Sequence, residues 1–228
     1  VPTISKIAHE HNCVVILDNT WGAGVNFKPF EHGVDISVQA ATKYIVGHSD
    51  VMVGTATATE EYWPQLRENS YTLGQCTSPD DLYTAMRGIR TISVRLKQHQ
   101  ESALKIARWL EKRPEVETVL HPAFPSCPGH EFFERDFTGS NGLFSFVLNR
   151  GDQKSLNELL DGMEHFKMGY SWGGFESLIL GITGLKSMRT ATKWKYDKPL
   201  IRLHVGLEDV DDLIEDLEQG FERLNRNL

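Results

Sequence analysis

The segment Cys13-Val14-Val15-Ile16-Leu17 is apolar throughout and stops abruptly at Asp18-Asn19-Thr20. A β-branched run with no polar alternation has no face to offer water, so it is expected as a central strand covered on both faces. A short helical pattern (Ile4, Ile7, Ala8) leads into it and ends near His9 to Asn12. A second strand, Ile36-Ser37-Val38, runs into Gln39-Ala40-Ala41-Thr42-Lys43, and a third, Val51 to Thr59, follows Gly47-His48-Ser49-Asp50. In open α/β sheets ligands gather outside the carboxyl ends of strands, which is where Asp18 and Lys43 fall.

Composition limits what such a sheet can do. The 228 residues are 40% hydrophobic and 24% charged, the usage of an ordinary globular chain forming one large domain or two modest ones. A chain of this size buries roughly 70% of its unfolded surface and needs no covalent staples. Its three cysteines, Cys13, Cys76 and Cys127, are odd in number and widely spaced, which fits a reducing compartment. The net charge of −7 has the wrong sign for a phosphate backbone, so no nucleic-acid partner is expected. The longest apolar runs, Val14 to Leu17 and Leu178 to Ile182, fall far short of the ~20 residues that span a bilayer, so no membrane association is expected and the expected location is cytoplasmic. The chain opens on Val1-Pro2 already inside a helical pattern, so it reads as the middle of something.

Residues Glu60 to Asn69 form a polar amphipathic pattern, and Gly74 to Thr77 break it. Ser78-Pro79-Asp80-Asp81 is a helix start: a capping hydroxyl, a proline where no N–H is needed, and two carboxylates at the positive end of the dipole. Apolar residues Leu82, Met86, Ile89, Ile92, Leu96, Leu104, Ile106 and Leu110 then carry helical spacing to Arg113-Pro114, with Gly88 as a candidate bend. This stretch is the expected hinge between residues 1–90 and 91–228. Beyond it, strands at Val116 to His121, Leu143 to Leu148 and Leu200 to His204 alternate with helical or glycine-rich segments, the grammar of a smaller α+β domain. The stripe Val210, Leu213, Ile214, Leu217, Phe221 and Leu224 marks a closing helix.

A carboxylate facing a pyridine nitrogen keeps it protonated, and a lysine amine forms an imine with an aldehyde. Asp18 and Lys43 therefore suit pyridoxal 5'-phosphate, with Thr42 a donor to its phosphate. Strand-end aspartates also serve as turn residues and lone lysines as solvated charges, and Ala-Thr-Lys recurs at Ala191-Thr192-Lys193. Arg202 lies inside an apolar strand and needs an anion, either a substrate α-carboxylate or a structural Asp or Glu. Tyr170-Ser171-Trp172-Gly173-Gly174 offers indole and hydroxyl donors on a loosened turn, lining a pocket or packing a domain seam. His9-Glu10-His11 puts its two histidines on different helix faces, so no metal site is expected. No G-x-S-x-G elbow or Walker loop occurs, and Arg87, Arg90, Arg95 and Lys97 read as a solvated or subunit-facing stripe.

Taken together, VVILDNTWGAG, SVQAATKYIVGHSDVMVGT, SWGGFESLIL and LIRLHVGLEDVDDLIEDL, in that order, resemble the trans-sulfuration (Cys/Met metabolism) family of pyridoxal phosphate enzymes over nearly the whole chain. The resemblance implies the aspartate-aminotransferase-like α/β fold (fold type I): residues 1–90 as the second half of the cofactor domain with its mixed or parallel sheet, and 91–228 as a linking helix and small α+β domain. It implies Lys43 as the Schiff-base lysine, Asp18 as partner of the pyridine nitrogen, Thr42 as phosphate ligand and Arg202 as clamp for the substrate carboxylate. Ser171 and Trp172 match the positions flanking that carboxylate, with Tyr170 at the pocket edge. Many relatives carry Ser where this chain has Ala40, so one phosphate hydroxyl is missing or replaced. Trp172, where γ-eliminating and γ-replacing relatives usually have Leu, implies carbon–sulfur β-elimination of L-cystathionine to homocysteine, pyruvate and ammonia, in methionine biosynthesis. The alternatives are γ-lyase or γ-synthase activity, or an inactive fragment. Family members are much longer, and their amino-terminal half supplies a stacking tyrosine and a phosphate loop absent from these residues. The implied partners are a complementary amino-terminal half and further copies in a homotetramer.

Overall fold

The computed structural model describes residues 1–187 and 191–226. They form two compact units, one of residues 1–94 with 136–140, the other of the remainder.

The first unit contains α1 (Pro2–Glu10), β1 (Ile16–Asp18), β2 (Ile36–Ala40), β3 (Gly54–Ala58), α2 (Trp63–Thr72) and α3 (Pro79–Ile89). Its sheet has the order β1-β2-β3 and is mixed: β1 runs parallel to β2, and β3 returns antiparallel. The expectation of a fully covered central strand is corrected here. β1 is a short edge strand with one neighbour, and Val14 and Ile16 are 43% and 63% exposed. Their composition calls for cover that no described element supplies. The same holds for α1, whose buried residue is Ser5 while Ile4 and Ile7 face outward. Asp35 ties this layer together, accepting from the Val15 N–H at 2.7 Å and lying 3.0 Å from His9 Nε2.

The start of α3 is as the sequence dictates. Ser78 Oγ accepts from the Asp81 N–H at 3.1 Å, Pro79 opens the helix, and Asp80 and Asp81 occupy its first turn. The long apolar pattern divides at Arg90-Thr91, where α3 gives way to α4 (Ile92–Leu110). Gly88 is no bend: it sits inside α3 because a Cβ there would stand 2.4 Å from the Val46 carbonyl oxygen. Leu82, Met86 and Ile89 are exposed, whereas Ile92 and Leu96 are buried. Arg95 also departs from the expected solvated stripe. It is 6% exposed, and burial lowers its pKa.

The second unit begins within α4 and adds β4 (Val116–Leu120), most of α5 (His130–Asp136), β5 (Leu143–Leu148), α6 (Gln153–Asp161), β6 (Lys167–Met168), β7 (Leu178–Ile182), β8 (Leu200–His204) and α7 (Val210–Asn225). The sheet order is β4-β5-β8-β7-β6, so β8 lies at the centre, antiparallel to both neighbours. Arg202 stands opposite Ser145 on one side and Leu180 on the other. The α7 stripe Leu213, Leu217, Phe221 and Leu224 is at most 1% exposed and packs with Ile106, Leu110, Phe146 and Ile201 in one core. Fully burying each such side chain contributes about 1.5–3 kcal/mol. Asp216, on the same helix, is buried but satisfied, accepting the N–H groups of Glu164, His165 and Phe166 at 2.8–2.9 Å.

Candidate active site

Because β1 and β2 are parallel, their carboxyl ends lie at the same end of the sheet, and both candidate cofactor residues emerge there. Asp18 closes β1; Lys43 lies in the turns that follow β2. Thr20, 6% exposed, connects the two strand ends. Its hydroxyl donates to Asp18 Oδ1 at 2.5 Å and accepts from the Ala40 N–H at 2.8 Å, while its own N–H reaches the same Oδ1 at 2.9 Å. Asp18 is thus oriented through one oxygen, and among the described residues its other oxygen is not engaged. It borders a cleft of ~1020 Å³ walled by Ala40, Gly54, Trp63, Arg67 and Tyr71. An exposed, pre-oriented carboxylate with a free oxygen on a cleft fits a protonated ring nitrogen. The residues present are therefore compatible with pyridoxal phosphate.

Thr42 is placed differently. Its hydroxyl donates to the Val53 carbonyl at 3.2 Å and accepts the Val53 N–H at 2.8 Å, and its own N–H bonds the same carbonyl. The side chain clips residues 42 and 53 together beside the lysine. Lys43 itself is half-buried, its N–H bonded to Ala40 and its carbonyl to the Gly47 N–H.

Tyr170, Ser171, Trp172 and Arg202 belong to the second unit. Arg202 Nη2 donates to the carbonyls of Gly169, Tyr170 and Ser171 at 3.2, 2.8 and 3.2 Å. Its Nε is buried with no partner, and burial lowers the guanidinium pKa. Among the described residues no Asp or Glu pairs with it, so the structural ion-pair alternative finds no partner. A planar guanidinium that keeps a buried donor unused suits an incoming carboxylate. Tyr170 is 85% exposed, Ser171 is exposed and Trp172 half-buried.

Two residues missed at the sequence level serve this arrangement. Thr20 orients Asp18; a hydroxyl two residues after a strand-end aspartate was the available signal. His204 is wholly buried, and its Nε2 accepts the Gly173 N–H at 3.0 Å. Its signal was a second polar residue at alternate spacing in Leu200-Ile201-Arg202-Leu203-His204.

The fold is that of the aspartate-aminotransferase-like, fold type I pyridoxal phosphate enzymes. Over its full length the chain superposes, with a TM-score of 0.89 and 33% identity, on 60% of the cystathionine gamma synthase of Xanthomonas oryzae pv. oryzae, solved in complex with cystathionine. The family model for Cys/Met metabolism PLP-dependent enzymes matches residues 1–222, and the chain belongs to that family. It is 56% identical to a cystathionine beta-lyase of Haemophilus influenzae over 98% of this chain and 58% of the relative. With a cystathionine beta-lyase of Escherichia coli K12 the identity is 52%, over 93% of this chain and 55% of the relative. The chain thus spans less than two thirds of the length of these relatives.

Proposed function

We propose that the protein acts in pyridoxal phosphate-dependent carbon–sulfur β-elimination, releasing homocysteine, pyruvate and ammonia from L-cystathionine, as a step of methionine biosynthesis. The observation that carries the reading is Arg202, which gathers the carbonyls before Trp172 while holding a buried Nε unpartnered. The 52–56% identity to two cystathionine beta-lyases supports β- over γ-elimination.

Bound pyridoxal phosphate supplies an electron sink for the charge left when the Cα proton departs. The chain's residues divide the remaining work. Lys43 Nζ would hold the cofactor at its aldehyde and would serve as the base for the Cα proton. Asp18 would stand as partner of the ring nitrogen, its negative charge keeping that nitrogen protonated. Arg202 holds the substrate α-carboxylate, flanked by Ser171 and Trp172, with Tyr170 at the pocket edge. Thr42, whose hydroxyl is bonded to the Val53 backbone in this structure, would be the donor to the phosphate.

We further propose that the active form is a homo-oligomer in which an amino-terminal segment like that of the longer relatives covers Ile4, Ile7, Val14 and Ile16, and that it works in the cytoplasm, where the free thiols of Cys13, Cys76 and Cys127 stay reduced. No helix among the described residues is long and apolar enough to cross a membrane.

Product analysis tests the reaction. Pyruvate from L-cystathionine is the expected outcome, and Lys43→Ala abolishes it. Formation of 2-oxobutyrate instead of pyruvate assigns γ-elimination, and substantial turnover by Lys43→Ala removes that lysine from its role.

A further inference from the structure

We propose that His204 is a positioning residue that fixes the backbone of Trp172 and thereby sets how substrate is held. The inference deepens the reading of the Ser171-Trp172 turn as substrate-binding and rests on it.

The side chain of Trp172 leaves the backbone between two peptide planes, and β8 grips both. The plane before it is held through the Ser171 carbonyl, which accepts from Arg202 Nη2 at 3.2 Å. The plane after it is held through the Gly173 N–H, which donates to His204 Nε2 at 3.0 Å. Arg202 and His204 are two residues apart on one strand and so project from the same face. With both planes fixed, φ and ψ at Trp172 are fixed as well, and the indole has only its side-chain torsions left. The turn itself requires glycine next, since Gly173 has φ +83°.

His204 is built for this task rather than for proton transfer to solvent. It is 0% exposed, its Nδ1 lies against Gly142, and its ring packs 5.2 Å from that of His99. His99 in turn places its Nδ1 2.8 Å from the Val205 carbonyl, anchoring the strand end. Nε2 stands 3.0 Å from both the Gly173 nitrogen and the Gly174 carbonyl oxygen, and the proposed grip on Gly173 takes the tautomer in which Nε2 accepts and Nδ1 carries the proton. In the other tautomer Nε2 donates to the Gly174 carbonyl instead, so the two tautomers hold different atoms of the same turn.

The test uses the holoprotein with His204→Phe, which keeps a ring of similar size and removes the acceptor, and His204→Gln, whose amide oxygen reaches a position close to Nε2. In His204→Phe the Gly173 N–H is expected to exchange with solvent at least ~10-fold faster, and KM for L-cystathionine to rise about 5–10-fold, the loss of one hydrogen bond, with kcat within roughly twofold. The cofactor's absorbance is expected to stay unchanged, and His204→Gln to restore both values towards wild type. Unchanged Gly173 exchange and KM in His204→Phe, or a His204→Gln variant as impaired as His204→Phe, overturns the role. If His204→Phe does not fold, the nitrogen-15 shifts of His204 in the wild-type protein decide: an unprotonated Nε2 supports the grip, and a protonated Nε2 rules it out. Absence of pyruvate formation by the wild-type protein counts against the β-lyase reading alone, because Gly173 exchange and the histidine tautomer still report on His204.

Discussion

At the scale of single residues, the site rests on groups held by neighbours that do no chemistry themselves. Asp18 is the clearest case, since two bonds from Thr20 fix one oxygen and leave the other for a ligand. Asp18→Asn keeps the shape and removes the charge. Turnover is expected to fall about 10²–10³-fold, as when one pre-organised electrostatic contact is lost, with the melting temperature of the protein unchanged. Steady-state kinetics beside a thermal melt check this; a variant of near wild-type activity contradicts the role. Arg202→Lys is expected to raise KM for L-cystathionine by about 10²-fold without rescue, because an ammonium cannot reproduce the fork or hold three carbonyls together. Asp18, Lys43 and Arg202 were legible in the sequence as candidates, through residue type, strand position and the family resemblance together. Thr20 and His204 were not, because a hydroxyl or an imidazole declares a positioning role only when its partner's distance is known.

Elements show where local rules decide and where tertiary packing overrides them. Strands β5 and β8 have the bounds their apolar runs dictate, and α3 starts on Ser78-Pro79 because capping is a local matter. The two-residue β6 has no signal of its own and exists through its parallel pairing with β7. The solvent-facing side of β1 and the burial of Arg95 were invisible for the same reason: composition says what a segment suits, and only its neighbours determine what it meets. Buried histidines give the second unit a pH dependence. His121 is 0% exposed, its Nδ1 accepts the Ala123 N–H, and its Nε2 is buried without a partner. Burial lowers its pKa from 6.5 to about 4, and burial does the same for His99. Between those values the unfolded chain binds protons that the folded one refuses, so stability is full above pH 6.5 and falls as pH drops towards 4, by about 1.4 kcal/mol per pH unit for each histidine. Melts between pH 7 and pH 4.5 are expected to show this loss, and His121→Phe to reduce it; a slope unchanged by His121→Phe contradicts the assignment. On α7, Phe221→Ala is expected to cost about 3–5 kcal/mol in chemical denaturation, since the side chain is fully buried in the core.

For the whole molecule, the fold class was legible through the resemblance of four sequence blocks to a known family, whose model matches residues 1–222. The exposure of Ile4, Ile7, Val14 and Ile16 was not, because it depends on what covers them. The central claim is that this chain carries the lysine and aspartate that engage pyridoxal phosphate. The most direct measurement adds pyridoxal phosphate to the purified protein, reduces with borohydride and maps the label by mass spectrometry. The account predicts a yellow complex whose label resides on Lys43 and disappears in Lys43→Ala. Label scattered over surface lysines, or none at all, contradicts it.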